Sequence, residues 1–196
     1  MCSWCWGFTP AIEMLGENFA DAVQLRYVMG GLARDSDAPM PAEMRRYVRG
    51  AWEEVASRTG ARFNWEYWEI CQPRRSTYPS CRAVLAASAQ REEAGPQMFH
   101  RIQRAYYLEA RNPSDTSTLV ELADELGLEV ERFKNDLASE VIEQELHNDF
   151  TQRRRLQANA FPSLVLACGE RSRWIARGWL SARDVAAALT TALETE

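Results

Sequence analysis

The placement of helical patterns constrains this chain more than any other feature. Periodicity near 3.6 residues recurs through positions 36–156, while the stretches on either side read as mixed α/β. Ahead of the block, Val23, Leu25 and Tyr27 alternate with Gln24 and Arg26 as in a strand, and Gly30 and Gly31 end the run. Within the block, helices are predicted over about 41–58, 79–93, 96–110, 117–126, 130–138 and 140–156. In the 117–126 segment Thr118 and Glu121 have capping-box spacing, and Gly127 stands where a helix stops. Behind the block, "SLVLAC" and "RSRWIAR" read as two strands joined by a turn. A closing helix carries Ser181 as N-cap and Val185, Ala188, Leu189 and Ala192 as its apolar stripe. The two flanking pieces make sense together if the block is an insertion. The expected architecture is α/β, residues 1–35 and 157–196 forming one domain and 36–156 an inserted all-helical domain.

Composition narrows the partners. The 196 residues carry a net charge of −5, which gives no reason to expect nucleic acid or an anionic membrane. No apolar run approaches the roughly 20 residues of a membrane span, and no charged n-region with an apolar h-region opens the chain. A cytoplasmic location is therefore expected. Five cysteines, an odd count, argue against a disulfide-stapled scaffold.

The chain opens "MCSWCWGF". A C-x-x-C serves two common chemistries. Half of a zinc site needs a second close pair of ligands, and neither Cys71 and Cys81 nor His100 and His147 are spaced to supply one. The other use is dithiol redox chemistry. Helix-forming sequence follows Cys5 directly, so Cys2 sits where unpaired backbone N–H groups favour a thiolate. Cys2 would then be the exposed nucleophile and Cys5 the resolving thiol. Far along the chain, "NAFPSLVL" sets Pro162 just before a strand. A cis Phe161–Pro162 bond facing the cysteines would expose backbone groups to an extended substrate. From pattern alone, a trans proline at the first residue of a strand is the ordinary reading.

"CSWCWGF" and "AFPSLVL", with "STYPSCRAVLAA" and "IQRAYYLEARNPSD" between them, resemble the DsbA-like branch of the thioredoxin superfamily, and within it the FrnE-like group of protein-disulfide isomerase type. The resemblance covers nearly the whole chain. It implies a thioredoxin fold with an inserted helical domain, and thiol–disulfide exchange on protein or small-molecule disulfides. It implies Cys2 as nucleophile, Cys5 as resolving thiol, Ser3 and Trp4 as the tuning spacer, and Pro162 as a cis-proline that with Phe161 meets substrate. Trp4 and Trp6 read equally as core residues or as an apolar rim for unfolded substrate. No metal or organic cofactor is implied beyond the Cys2–Cys5 redox pair, with glutathione as a second partner class. Members of the group have a strand leading into the cysteines, which this sequence lacks. The expectation is that Met1 is an internal methionine and the strand lies upstream; the alternative is a short chain that borrows a partner's strand.

Other functions compete. Kappa-class transferases and chromene-carboxylate isomerases share the architecture but carry serine where this chain has Cys2. A binding module or holdase would leave the cysteines idle. Elsewhere the readings are structural: Cys81 as a buried inert thiol, with a Cys71–Cys81 disulfide as the alternative, and Cys168 as strand packing. Trp52, Trp65 and Trp68 read as helix core or domain interface, Tyr106 and Tyr107 as core, and Arg153–Arg155 as a solvated helix face with an acidic partner as its alternative. His100 and His147 are given no role.

Overall fold

The structure, a computed structural model, describes residues 1–195. A short helix α1 (Ser3–Trp6) and a second, α2 (Thr9–Asn18), open the chain. The sequence suggests one helix here, but the run breaks at Gly7 and Phe8, and Pro10 takes the start of α2, where its missing N–H costs nothing. A side chain at Gly7 would meet Thr59 and Val55 at 2.9–3.0 Å, so the break also lets α1 press against the next helix.

The helical block follows as α3 (Ala42–Thr59), α4 (Tyr67–Ile70), α5 (Tyr78–Gln90), α6 (Ala94–Leu108), α7 (Thr116–Glu125), α8 (Val130–Leu137) and α9 (Glu140–Arg155). Gly60 closes α3 in the left-handed conformation at φ 73°. At α7 the N-cap is Asp115, not Thr118. Asp115 offers no capping bond because Arg74 and Asn112 hold its carboxylate at 2.6 and 2.9 Å. Its far end is a Schellman stop, with Gly127 at φ 67° and Leu128 N–H donating to the Ala123 carbonyl.

The chain then forms β1 (Ser163–Cys168) and β2 (Arg171–Arg177), an antiparallel pair running from Ser163 opposite Arg177 to Cys168 opposite Arg171. A bulge falls between Leu164 and Val165. Helix α10 (Ala182–Glu194) closes the fold, with Ser181 accepting from the Asp184 N–H at 3.2 Å as its N-cap. Val185, Leu189 and Ala192 bury their stripe against Phe8, Ala11, Leu15 and Ile175.

Three cores result. The one just described joins both ends of the chain. A second lies among α5–α9, around Met98, Ile102, Leu122, Phe133 and Leu146. The third is aromatic, with Trp52 fully buried against Phe63, Tyr67, Trp68, Tyr106 and Tyr107 at ring separations of 4.9–5.6 Å.

One expected strand is not paired. Residues 23–32 run without a ladder partner among the described residues. Side chains pin the segment instead. Met29 N–H donates to buried Asp149 at 2.8 Å, Tyr27 Oη bonds His100 Nε2 at 3.0 Å, and Thr77 Oγ1 accepts from the Ala33 N–H at 2.9 Å. Burial raises the Asp149 carboxyl above its usual range. A cavity of about 220 Å³ lies between this segment, α1, α5, α6 and the Phe161–Leu164 stretch. No helix among the described residues is long and apolar enough to cross a membrane.

Candidate active site

Cys2 is the N-cap of α1, with extended backbone at φ −100° and ψ 114°. The N–H groups of Cys5 and Trp6 close back on its carbonyl at 3.2 and 3.3 Å. This tight turn sets the two thiols side by side, both half-buried, both free and both on the cavity wall. The Cys5 thiol hydrogen-bonds the Cys2 sulfur, and backbone N–H groups of Cys5 and Trp4 add to it. These donors outweigh burial and bring Cys2 down to about 7. Cys5 moves the opposite way, held well above the ordinary thiol range first by its bond to Cys2 and then by burial. Of the two thiols, Cys2 therefore loses its proton first and Cys5 keeps its own.

Across 159 positions of sequence, the Cys2 thiol meets the Phe161 carbonyl oxygen at 3.7 Å. The Phe161–Pro162 bond is cis, the isomer the resemblance implies rather than the one pattern alone suggests. Pro162 is buried and lines the cavity with Phe161. The Phe161 ring fits there because position 30 has no side chain: a Cβ on Gly30 would stand 2.3 Å from it. Cys2, Cys5, Phe161 and Pro162 are therefore brought together.

The remaining sites from the sequence lie around this group. Ser3 is buried beneath the turn. Trp4 is half-buried, 6.5 Å from Trp179, with the Arg58 guanidinium 5.0 Å over its ring. Trp6 is not among the cavity-lining residues; it stacks on Tyr107 at 5.5 Å and its Nε1–H donates to the Arg62 carbonyl at 3.0 Å. Trp179 ties the site to the sheet side, donating to the Gly7 carbonyl at 2.9 Å.

Sequence reasoning passed over several cavity residues. His100 has a partner, Tyr27, and burial lowers its pKa. Gln103 is fully buried with neither end of its amide hydrogen-bonded. Cys81 faces the same cavity and is pushed up by burial to about 11. Cys71 is a free thiol donating to the Ala110 carbonyl at 3.0 Å, and Cys168 is exposed at the strand end rather than packed. Nothing in the helical patterning separates Gln103 from a surface glutamine, whereas Tyr27 and His100 meet only through tertiary packing.

The model of the family described as thioredoxin matches residues 1–172. The chain belongs to the thioredoxin family. This family member is similar to the crystal structure of a "putative protein disulfide isomerase" from Nitrosomonas europaea, at 28% identity and TM-score 0.88, over 100% of this chain and 94% of that one. It is similar to the cytosolic disulfide reductase DsbM from Pseudomonas aeruginosa, at 28% identity and TM-score 0.80, over 100% and 96% of the two chains. DsbM has also been solved with GSH. Among curated relatives, the ClpXP adapter protein SpxH of Bacillus subtilis (strain 168) is 28% identical over 167 residues, or 84% of this chain and 54% of that protein. The chain spans about half the length of the curated relatives it matches. The fold is therefore thioredoxin-like, with a helical insertion and, among the described residues, a two-stranded sheet.

Proposed function

We propose that this chain is a thiol–disulfide oxidoreductase in which Cys2 is the nucleophile and Cys5 the resolving thiol. The observation that carries the reading is the opposed pair of thiols, Cys2 lowered to about 7 and Cys5 raised, one turn apart on a cavity wall. The Cys2 thiolate attacks a substrate disulfide. A Cys2–substrate S–S bond forms, the substrate S–S bond breaks, and the departing thiolate takes a proton from solvent. The Cys2 charge that held the Cys5 proton is then gone, so Cys5 ionises more readily. Its thiolate attacks the Cys2 sulfur, expels the second substrate thiolate and leaves a Cys2–Cys5 disulfide. Two electrons have passed from the dithiol to the substrate. The reverse sequence oxidises a substrate dithiol.

Ser3 and Trp4 tune the turn, and Phe161 and Pro162 receive the substrate backbone beside Cys2. The likeness to a cytosolic reductase solved with GSH supports the reducing direction, a cytoplasmic location and glutathione as the electron source. Two glutathione thiols then return the pair to the dithiol and leave as glutathione disulfide, with no metal or organic cofactor. Protein or small-molecule disulfides are the substrates. The test is insulin reduction with glutathione as reductant. Activity lost in Cys2→Ser, and a persistent dithiothreitol-sensitive adduct in Cys5→Ala, are expected; full activity in Cys2→Ser would overturn the assignment.

The SpxH likeness favours a second reading, a binding adapter. It separates cleanly from the first: a Cys2→Ser, Cys5→Ser double variant keeps partner binding under the adapter reading and loses every redox assay under the first.

A further inference from the structure

Two arginines lie over aromatic rings beside the cysteines, and they differ in one respect. Arg58, over Trp4, has a carboxylate partner, Glu54, at 3.4 Å. Arg153, in the last turn of α9, lies 6.0 Å over the Phe161 ring and pairs with no carboxylate among the described residues. Its Nε is buried without a hydrogen-bond partner. The adjacent Arg154 and Arg155 are exposed, as a solvated helix face should be, and Arg154 bonds Thr151 at 2.8 Å. Arg153 is half-buried and departs from that face.

Holding a cation partly out of water with an unused donor is unfavourable unless an anion completes it. The ring and the helix C-terminus offset only part of the cost. Position narrows what the anion is. The ring under Arg153 belongs to the residue whose carbonyl accepts from the Cys2 thiol. Phe161 thus links the two groups, its ring beneath the guanidinium and its carbonyl facing the sulfur under attack. Arginine's planar fork matches a carboxylate with two parallel bonds.

We propose that Arg153 is a specificity-determining residue that receives a carboxylate of the substrate, so that Cys2 prefers disulfides carrying carboxylates near the S–S bond, the class to which glutathione disulfide belongs. The inference rests on the thiol–disulfide reading above. Arg153 binds and orients; the bonds made and broken at Cys2 and Cys5 are unchanged.

The test compares three small disulfides of different charge: glutathione disulfide, neutral 2-hydroxyethyl disulfide and cationic cystamine. Each is mixed with the reduced protein at low ionic strength, quenched with an alkylating reagent and read as loss of the free Cys2 thiol by mass spectrometry. Arg153→Gln is expected to slow glutathione disulfide by about tenfold, the scale of one lost bond to a charged group. The neutral disulfide should stay within about twofold, which also reports that the variant is folded. Arg153→Lys should recover part of the loss, and Arg154→Gln, the same change in net charge one residue away, should slow neither. Equal slowing by Arg153→Gln and Arg154→Gln would reduce the effect to overall charge and overturn the proposal. So would an unchanged glutathione disulfide rate. Failure of wild-type Cys2 to react with the neutral disulfide would instead sink the underlying redox reading.

Discussion

Two thiols line the same cavity and are driven in opposite directions. On the α1 wall, Cys2 is brought down to about 7; on the α5 wall, Cys81 is pushed up to about 11. Both sit largely out of solvent, and burial raises both. Donors make the difference. Cys2 receives the Cys5 thiol and two backbone N–H groups from the tight turn of α1. Cys81, in the first turn of α5, has burial as its largest influence, only partly countered by the Gly31 backbone. Lining a cavity does not make a thiol reactive, whereas hydrogen bonds aimed at the sulfur do.

Removing one side of the contrast gives the largest effect. Cys2→Ser should lower disulfide reduction by about a thousandfold or more, since no other thiol on the cavity wall is both ionised and placed beside Phe161. Cys81→Ser should leave the rate near wild type. Comparable losses from the two substitutions, in an insulin-reduction assay, would dissolve the distinction between the walls.

The next effect is about a hundredfold and needs no mutation. At pH 7 the thiolate fractions of the two cysteines differ by about 10⁴, and the greater intrinsic nucleophilicity of the higher-pKa thiol returns about 10² of that. Iodoacetamide labelling followed by peptide mass spectrometry should favour Cys2 over Cys81 by about 10². The sign with pH follows: Cys2 labelling falls as pH drops through 7, and the gap narrows as pH rises toward 11. Equal labelling at pH 7 would show that burial, not donation, governs both sulfurs.

How much of this was legible in the sequence depends on how local its cause is. The C-x-x-C, the strands β1 and β2 and the Ser181 cap are set by near neighbours, and each stands where the pattern puts it. The placement of Cys2 and Cys5 one turn apart at a helix start was legible for the same reason. The insertion was legible because periodicity changes on either side of it. Failures come where distant groups decide. Thr118 lost the cap to Asp115, whose carboxylate Arg74 had already claimed. Residues 23–27 have strand alternation yet no ladder, because a strand needs a neighbour that pattern cannot supply. Cys168 ends an apolar run, but the strand end it occupies is uncovered. Arg153 reads like its neighbours until the Phe161 ring is placed beneath it.

A smaller effect sharpens the comparison by removing the main donor. Cys5→Ala deletes the first cause of the lowered Cys2 pKa. The midpoint should climb from about 7 toward the ordinary thiol value of about 8.5, cutting the thiolate fraction at pH 7 about tenfold. Ultraviolet absorbance of the thiolate against pH reads this directly. A midpoint that stays near 7 would transfer the effect to the α1 backbone alone.

The smallest effect separates geometry from electrostatics. Gly30→Ala puts a methyl 2.3 Å from the Phe161 ring, so the ring must move. Overpacking of this kind costs about 1–3 kcal/mol of stability. The Phe161 carbonyl, 3.7 Å from the Cys2 sulfur, shifts with it, and exchange should slow a few-fold. The Cys2 midpoint should stay near 7, because the donors that set it are the Cys5 thiol and the N–H groups of Cys5 and Trp4, none of them on the moved segment. Gly16→Ala is the control: its added methyl meets nothing within 4 Å, and inside α2 it should stabilise by up to about 1 kcal/mol without touching either rate or midpoint. A Gly30→Ala midpoint that climbs as far as in Cys5→Ala would mean that the Phe161 wall takes part in tuning the sulfur. The lowered pKa would then be a property of the whole cavity mouth rather than of the turn between Cys2 and Cys5.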